Sequence, residues 1–355
     1  MRSSYSADDV EILLKDISGL VEPLPSSIRE KKIQSGTHYC EMLPLEYKPS
    51  PKYIETYYKA LENYSRTTAE AVCTLAEKCY ALKGEDLVLV SLARAGIPIG
   101  ILLKRYLKYK YGISVKHYAI SIIRGRGIDR NAMEYILERH NPGHIQFVDG
   151  WVGKGAILDE LKDALQPYPG LDISLGVLSD PAYRTSLCGT HEDILIPSSC
   201  LNATVTGLIS RTFLRDDIIG KDDFHGAAYY ANLEKEDLSE EFLHEIEKYF
   251  VLEDNLPCLP TGSRKAYNGL TVVKDVAKEY GIDNINLIKP GIGETTRVLL
   301  RRIPWKIIVN PEFINCNELI HIYQLADEKG VVCEESRVPL GNYKVCGLIK
   351  KIVDC

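Results

Sequence analysis

A glycine-rich segment behind a short apolar run is the first stretch whose residue types indicate chemistry. Residues 148–157 read VDGWVGKGAI, so Asp149 is followed by Gly150, Gly153 and Gly155 with one lysine among them. Glycines let backbone amides approach an anion closely, and the first turn of a helix offers free N–H groups. The segment therefore predicts a phosphate-binding loop between a strand and a helix.

The spacing of these glycines excludes the two common nucleotide loops. A nucleotide P-loop needs G-x-x-x-x-G-K-[ST], but Gly150 stands only three residues before Gly153, and Gly155 occupies the position of the hydroxyl residue. The G-x-G-x-x-G spacing also fails. An acid followed by a short loop instead suits a sugar phosphate, whose hydroxyls would meet Asp149 and whose phosphate would meet Gly153, Lys154 and Gly155. The alternative is a plain strand-to-helix turn with a glycine cap.

A second loop of the same kind ends an earlier strand. Residues 91–96 read SLARAG, so that Arg94 is flanked by small residues. The guanidinium group of Arg94 and the backbone amides of Ala95 and Gly96 could share one anion. Two anion-binding loops at neighbouring strand ends suggest a substrate with two separated phosphate groups.

The elements that must position these loops follow from the hydrophobic pattern between residues 86 and 250. Short apolar runs alternate there with amphipathic segments of helical length, which is typical of a parallel sheet with helical crossovers. The predicted order is strand DLVLVSL, helix AGIPIGILLKRYLKYK, strand VKHYAISII, helix NAMEYILERH, strand IQFVD, helix GKGAILDELKDAL, strands DISLGVLSD and DILIP, and helix SEEFLHEIEKYF. Before them we expect a helix from Ser6 through Asp16 and a long helix from Ser50-Pro51 to Lys83-Gly84, separated by an irregular patch.

The chain is long enough for two domains, and the proline-bearing segment LEDNLPCLPTGS marks a boundary. We expect a first domain over residues 1–255, a linker and a helix, around Arg264 to Tyr280, over residues 256–281, and a second domain over residues 282–355. The second domain is predicted to contain strand NINLIK, helix GETTRVLLRR, strand KIIVN, helix NELIHIYQLADEKG, and strands VVCEES and YKVCGLIKKI. This order predicts a small α/β domain.

Composition excludes several classes of protein. The chain has 355 residues and a net charge of -6, which argues against a nucleic-acid surface along its whole length. No apolar run reaches the ~20 residues of a membrane-spanning helix, and the first residues resemble no secretory signal. The ten cysteines form no C-x-x-C pair, which disfavours a zinc knuckle and fits reduced thiols in the cytoplasm.

The two loops, with stretches over residues 35 to 250, carry a resemblance to a known family. VDGWVGKGAI and SLARAG resemble the phosphate loops of type I phosphoribosyltransferases. The stretches THYCEMLP, SLARAGIPIG, HYAISIIRGRGID, LIPSSCLNATVTGLISRTFL and DDFHGAAYY resemble the phosphoribosyltransferase-like proteins of bacterial tellurium and stress-resistance gene clusters, also catalogued as the cysteine protease StiP. The resemblance implies a parallel sheet of the phosphoribosyltransferase type with a helical N-terminal extension.

The resemblance also implies a reaction. A member of that family is expected to bind 5-phosphoribosyl-1-pyrophosphate (PRPP) with magnesium and to transfer ribose 5-phosphate to a base or another nitrogen acceptor, with homodimers common among relatives. Asp149 and Arg94 would be catalytic, and Asp149 would also contact the magnesium ion indirectly. PRPP would be bound by Ala95, Gly96, Asp149, Gly150, Gly153, Lys154, Gly155 and Ala156. The family pattern has two adjacent acids before the loop, whereas this chain has Asp149-Gly150.

Three further residue sets leave alternatives open. Arg124 and Arg126 are candidates for a phosphate clamp or for a solvated basic turn. Cys200, with His225 and Asp223, could form the nucleophile, base and orienting acid of a cysteine protease, and His38 stands two residues before Cys40. Cys200, Asn202 and His225 could instead belong to the acceptor pocket, and a further alternative for Cys200 is a buried core thiol. A third alternative is a regulator that binds PRPP or RNA without catalysis.

The C-terminal region has a basic segment of its own. The sequence IKPGIGETTRVLLRRIPWK concentrates lysines and arginines against a single glutamate. It resembles the Pelota and kink-turn-binding ribosomal protein superfamily, in which a glycine-rich turn followed by Glu and a basic residue contacts RNA. The matching positions, expected to bind structured RNA, are Gly291, Gly293, Glu294, Arg297 and Arg301.

Overall fold

The computed structural model describes residues 1–251 and 268–351, and all structural statements refer to them. Its α-helices are α1 (Ser26–Gln34), α2 (Pro51–Lys83), α3 (Gly96–Tyr111), α4 (Arg130–Leu137), α5 (Ala156–Leu165), α6 (Ser239–Glu247), α7 (Gly269–Glu279), α8 (Ile292–Arg301) and α9 (Ile320–Glu328). Its strands are β1 (Glu11–Ile12), β2 (Lys15–Asp16), β3 (Val88–Leu92), β4 (Lys116–Ile120), β5 (Ile122–Ile123), β6 (Gly127–Ile128), β7 (Ile145–Trp151), β8 (Leu175–Ser179), β9 (Cys188–Thr190), β10 (Gly226–Ala227), β11 (Ile288–Pro290), β12 (Pro304–Val309), β13 (Val332–Glu335) and β14 (Val345–Ile349).

The N-terminal part is built on a parallel sheet, which confirms the predicted α/β class. Six strands pair in the order β1-β4-β3-β7-β8-β9, and every pair is parallel. β3 and β8 are buried at every residue, as expected for apolar runs covered on both faces. Because β3 and β7 are neighbours, the loop after Leu92 and the loop after Trp151 lie at the same edge of the sheet.

The long helix α2 forms much of the core against this sheet, as predicted. The Ser50 side chain accepts a hydrogen bond from the Tyr53 amide, Pro51 opens the first turn, and Gly84 ends the helix at a φ of 71°. Small residues of its buried face allow close packing. A Cβ atom at Gly189, in β9, would lie 2.5 Å from the Ala71 carbonyl oxygen. The position therefore requires glycine.

Two predicted elements are wrong, and pairing elsewhere in the chain explains both. Residues 6–16 form a turn and two short strands rather than a helix, because β1 adds to β4 and β2 pairs with β10. The expected strand DILIP is irregular. Its first residue, Asp193, instead accepts hydrogen bonds from the amides of Ile292 and Lys344 in the C-terminal part.

The C-terminal part is a four-stranded mixed sheet in the order β11-β14-β12-β13, with α8 and α9 packed on it. This confirms the small α/β domain predicted from the sequence. The proline-bearing linker lies outside the described residues, and the helix expected around Arg264 to Tyr280 begins at Gly269 within them. None of the helices in the described ranges is both long enough and apolar enough to cross a bilayer.

Candidate functional site: a cavity between the two sheets

A cavity of about 930 Å³ lies between the carboxyl edge of the parallel sheet and the C-terminal domain. Its wall includes ten cationic side chains but only three carboxylates, Asp149, Asp283 and Glu294. The cations are Arg94, Arg124, Lys154, Arg211, Lys289, Arg297, Arg301, Arg302, Lys350 and Lys351. The cavity is thus strongly positive within a chain whose net charge is -6.

The two glycine-containing loops meet as their strand order requires. A Cβ atom at Gly96 would lie 2.7 Å from the Val148 carbonyl oxygen and 3.2 Å from the Asp149 Cα, so only glycine permits this approach. Gly155 adopts a φ of 95° directly before α5, where a side chain would be strained. These glycines make room for the protein's own backbone and for a helix start.

The loop after β7 faces the C-terminal domain. The Tyr343 hydroxyl donates a hydrogen bond to the Gly153 carbonyl at 2.7 Å. A Cβ atom at Gly153 would lie 2.8 Å from Glu294 Cγ, and one at Gly293 would lie 2.3 Å from the Trp151 ring. We call the contact of residues 150–155 with residues 291–297 the glycine interface.

Most of the residues predicted to bind PRPP belong to this interface or to the adjacent cavity wall. Ala95, Asp149, Gly153, Lys154, Gly155 and Ala156 line the cavity, whereas Gly96 and Gly150 do not. Lys154 is buried, and its ammonium group donates hydrogen bonds to the carbonyls of Ile285 and Ile288. Burial lowers the pKa of Lys154 to about 7. The lysine expected to hold a phosphate therefore bonds to the C-terminal domain.

Asp149 is a single carboxylate in a largely cationic setting. Its Oδ1 accepts a hydrogen bond from the Gly150 amide at 2.7 Å. Burial raises the pKa of Asp149 to about 6, although Arg297 acts against this. No cluster of three or more potential metal ligands occurs in residues 1–251 and 268–351. These donors do not fit a resident magnesium ion, and a magnesium ion carried in by a ligand stays a prediction.

The residues expected to contact RNA also point toward the N-terminal domain. Glu294, Arg297 and Arg301 line the cavity, while Gly291 and Gly293 lie in the glycine interface. Arg297 lies 4.3 Å over the Trp151 ring and pairs with Glu294 at 3.1 Å. Burial would raise the pKa of Glu294, but Lys289 and Arg297 outweigh it and hold that pKa at about 2.

Arg94 and the two clamp candidates have different surroundings. Arg94 pairs with Glu46 at 3.0 Å and donates to the Ile209 carbonyl, and both members of the ion pair are buried. Arg124 lines the cavity and donates to Asn286 of the C-terminal domain at 3.0 Å. Arg126 is half exposed, pairs with Glu41 and does not line the cavity. Of the two, only Arg124 can meet a ligand there.

The structure separates the residues of the predicted protease triad. Cys200 is fully buried in the core, where burial raises the pKa of its thiol far above the usual range. His225 contacts the Ser121 hydroxyl at 2.9 Å, and Asp223 pairs with Lys15. Asn202 accepts a hydrogen bond from Arg301. Cys200, Asn202 and His225 do not line the cavity, so they do not form one acceptor pocket.

The structure brings other cysteines and histidines together. The Cys40 sulfur lies 2.9 Å from His38 Nδ1, and His38 Nε2 lies 3.0 Å from the Arg124 carbonyl oxygen. This carbonyl can only accept, so Nε2 carries the proton, and the Nδ1 lone pair faces both the Cys40 thiol at 2.9 Å and the Cys40 amide at 3.4 Å. The H-x-C spacing was visible in the sequence, but nothing in the sequence joins it to residue 124.

A second cysteine and histidine pair has less favourable geometry. The Cys188 sulfur lies 3.6 Å from His191 Nε2 and 3.8 Å from Nδ1. A sulfur almost equidistant from both nitrogens does not point along the lone pair of either. His191 Nδ1 donates to the Asp180 carbonyl at 2.9 Å, and the ring stacks on Tyr183 at 4.0 Å.

Five arginines lie close to one another at the cavity between the domains. We call Arg29, Arg94, Arg211, Arg301 and Arg302 the arginine cluster. Arg94, Arg211, Arg301 and Arg302 line the cavity, and the fully buried Arg29 perturbs Arg211 and is itself perturbed by Arg302. Sequence reasoning missed Arg29 and Arg211 because they stand alone, far from any motif, in α1 and in an irregular segment.

Both domains match known families. Residues 3–247 match the family described as tellurite-like stress resistance cysteine protease StiP. Residues 267–351 match the Pelota RNA-binding domain. The C-terminal match agrees with the resemblance drawn from the basic segment, although the residues expected to contact RNA face the other domain.

A curated relative extends the similarity over both domains. The protein named cysteine protease StiP from Acinetobacter baylyi is 35% identical over 366 aligned positions, which cover 98% of this chain and 94% of the relative. Both names are those of a cysteine protease, so the expectation of a PRPP-dependent transferase is wrong and the protease alternative is favoured. The chain belongs to the StiP family of tellurite-like stress resistance cysteine proteases.

Proposed function

We propose that this chain is a cysteine-dependent peptidase in which Cys40 is the nucleophile and His38 its general base. The observation that supports this choice is the 2.9 Å distance between Cys40 Sγ and His38 Nδ1. A thiol and an imidazole in contact, with the imidazole oriented by a third group, form the minimal arrangement of a cysteine hydrolase. Here the third group is the backbone carbonyl of Arg124.

Both groups of the pair rest in their neutral forms, so the thiol must be activated when the substrate binds. Burial lowers the pKa of His38, so its ring is neutral near pH 7. Burial also raises the pKa of Cys40 to about 11, so the thiol keeps its proton until it reacts. In the proposed reaction, sulfur attacks the peptide carbonyl carbon while Nδ1 takes the thiol proton. The same proton then passes to the leaving amine, and water hydrolyses the thioester.

The proposal includes a route for the substrate. Cys40 is only 1% exposed, but the adjacent Tyr39 lines the cavity. The Tyr39 hydroxyl accepts a hydrogen bond from the Arg124 amide, and the ring lies under Arg211. A peptide that displaces this ring would reach the sulfur from the cavity side, so substrate binding and exposure of the thiol are coupled.

The thiols of Cys200 and Cys188 are weaker candidates for the nucleophile than Cys40. Cys200 has no histidine contact within the described residues. Cys188 lies beside the His191 ring without aiming at either nitrogen. Cys188 is nevertheless the second candidate, because its histidine is oriented by the Asp180 carbonyl.

The test measures hydrolysis of a fluorogenic peptide library by the full chain and its Cys40→Ala, His38→Gln, Cys188→Ala and Cys200→Ala variants. We expect at least a hundredfold loss of kcat/KM for the first two, and activity within about twofold of wild type for the others. A covalent epoxide inhibitor should label Cys40 in turnover-competent protein. Activity in Cys40→Ala together with its loss in Cys188→Ala would transfer the role to Cys188.

We also propose that the C-terminal domain contacts RNA, on the strength of the Pelota match over residues 267–351. Because Arg297 pairs with Glu294 and packs on Trp151, contact through these residues requires the glycine interface to open. Gel shifts with structured RNA should weaken with salt and with Arg297→Ala. Binding unaffected by both changes would remove this assignment. The phosphoribosyltransferase type of the parallel sheet and a homodimer stay predictions.

A further inference from the structure

Four arginines contact the segment that holds the proposed nucleophile and base, residues 38–41. They are Arg124, Arg126, Arg211 and Arg215. Burial lowers the pKa of His38, and the charges of Arg126 and Arg124 add to that effect. The thiol of Cys40 therefore lies in a locally cationic region of the protein.

Two of these arginines have a carboxylate partner among the described residues. Arg126 and Arg215 form ion pairs at 3.1 Å and 2.5 Å, and neither lines the cavity. Arg124 and Arg211 form no ion pair within the part of the chain that the structure describes. Arg124 donates instead to the Asn286 side chain at 3.0 Å, and Arg211 lies over an aromatic ring at 4.7 Å. Both are half-buried and line the cavity, so the two arginines without a carboxylate partner are the two that a ligand can reach.

These two arginines lie on the proposed route of the substrate. Tyr39 lines the cavity next to the buried Cys40, and a peptide that reaches the sulfur must displace the Tyr39 ring. The Arg124 amide donates to the hydroxyl of that ring at 2.8 Å, and the Arg211 guanidinium lies over its face. A peptide that takes the place of the ring would therefore contact both arginines.

The charges of the cavity indicate which peptides would be accepted. Its wall includes ten cationic side chains and three carboxylates, so it attracts negative groups and repels positive ones. A guanidinium group binds a carboxylate through two parallel N–H···O bonds, whereas a neutral amide offers a single acceptor atom. A volume of about 930 Å³ is that of a small-molecule site, so a short extended segment can enter and a folded domain cannot.

We infer that the site at Cys40 takes acidic peptides, in which Asp or Glu side chains beside the scissile bond are bound by Arg124 and Arg211. The inference rests on the proposed peptidase function and adds the substrate class. Arg124 then has two separate roles, since its backbone carbonyl orients His38 and its side chain meets the substrate. Replacing that side chain leaves the carbonyl in place, so specificity can be changed apart from the catalytic pair.

Hydrolysis of quenched fluorescent peptides by the full chain tests the inference. The peptides are identical except for four central residues, which are all Glu, all Gln or all Lys. We expect kcat/KM to be at least tenfold higher for the Glu peptide than for the Gln peptide, and lowest for the Lys peptide. The Glu-to-Gln ratio should fall toward one in Arg211→Met and in Arg124→Met. It should keep its wild-type value in Arg139→Met, a control at an exposed arginine. Arg211→Glu should favour the Lys peptide instead.

Failure of this inference and failure of the proposed function give different results. Equal kcat/KM for the three peptides, with activity lost in Cys40→Ala, would overturn the acidic preference and leave the nucleophile in place. Hydrolysis of no peptide by wild type would count against the proposed function, and peptide binding would then decide on the substrate class.

Binding is measured by the fluorescence anisotropy of labelled octaglutamate and octaglutamine with the full chain. Tighter binding of octaglutamate that weakens at least tenfold in Arg211→Met supports the inference. Equal binding of both peptides, or no binding, overturns it. A 12-nucleotide RNA that binds at least tenfold more tightly than octaglutamate, and that loses affinity in the same variants, would assign this surface to RNA.

Discussion

The glycine interface and the arginine cluster differ in how their charges are balanced. At the glycine interface, Lys154 bonds to carbonyls and Glu294 pairs with Arg297 and Lys289. In the arginine cluster, Arg29, Arg211 and Arg301 form no ion pair with a carboxylate of residues 1–251 or 268–351, whereas Arg94 and Arg302 each form one. The glycine interface lies within motifs of the sequence, whereas Arg29 and Arg211 of the cluster lie in none. Closely spaced glycines therefore indicate that another group approaches the backbone closely. Here that group belongs to the other domain of the same protein.

Substitution of Lys154 should produce the largest change in the free energy of unfolding. Burial lowers its pKa to about 7, whereas the unfolded value is about 10.4. Between these values the unfolded chain binds more protons, so stability rises with pH. From pH 6 to pH 9 the free energy of unfolding of wild type should rise by roughly 2–3 kcal/mol more than that of Lys154→Met.

Urea unfolding at pH 6, 7, 8 and 9 measures this difference, with Lys221→Met as the control at an exposed lysine. The control should follow wild type at every pH. Parallel pH profiles for wild type and Lys154→Met would mean that the ammonium group is not desolvated. The loop would then be open to a ligand after all.

The glycine interface can also be disrupted by adding one methyl group. A Cβ atom at Gly293 would lie 2.3 Å from the Trp151 ring, over which Arg297 also lies. Gly293→Ala should therefore destabilise the protein by about 2 kcal/mol through overpacking. Gly150→Ala is the matched control. Its methyl group would meet only the Ala95 carbonyl at 3.8 Å, an ordinary contact.

Thermal unfolding of the two alanine variants, followed by circular dichroism, compares them directly. Equal melting temperatures would show that residues 150–155 do not pack on residues 291–297 in solution. A loss in Gly293→Ala alone supports the close contact of the two domains. Trp151 fluorescence should change in the same variant, because its ring must move.

Local sequence patterns were sufficient to predict much of the fold but little of the candidate site. The buried run at β3, the Ser50 cap and the Gly84 stop were readable, because each depends on neighbouring residues. Residues 6–16 were predicted as a helix because their pairing partners, β4 and β10, lie more than a hundred residues away. Burial of charge depends on such distant contacts as well.

The candidate catalytic pair shows the same limit. His38 and Cys40 were noticed for their spacing, but the group that fixes the histidine tautomer is the carbonyl of Arg124. Cys200 with His225 was the protease pair expected from the sequence, yet Cys200 lies in the core and contacts no histidine among the described residues. Neither Arg29 nor Arg211 forms an ion pair within the part of the chain that the structure describes, and such surroundings depend on distant contacts that no sequence spacing encodes.

Removing one charge from the arginine cluster should change the free energy of unfolding by less than the substitutions above, and in the opposite direction. Arg211→Met keeps most of the apolar stem and removes a charge near Arg29, Arg94 and Arg302. In buffer without polyanions, the variant should be more stable than wild type by about 1 kcal/mol, because repulsion among buried charges is relieved. Arg139→Met, at a partly exposed site, should be neutral within about 0.5 kcal/mol. A less stable Arg211→Met would mean that the cluster already has an internal partner for this charge.

Substitution of Asp149 should produce the smallest change in the free energy of unfolding. Burial raises its pKa to about 6 in the folded protein, while the unfolded value is about 3.9. The folded state therefore binds more protons between pH 4 and pH 6, so stability is lost as the pH rises through that window. Asp149→Asn should remove this slope and be slightly more stable at pH 7, by less than about 1 kcal/mol after solvent screening. The measurement is urea unfolding of both proteins from pH 4.5 to pH 7.5. A carboxylate that Arg297 fully neutralised would have a lowered pKa, so the sign of the difference between the two profiles decides whether burial or pairing dominates at this residue.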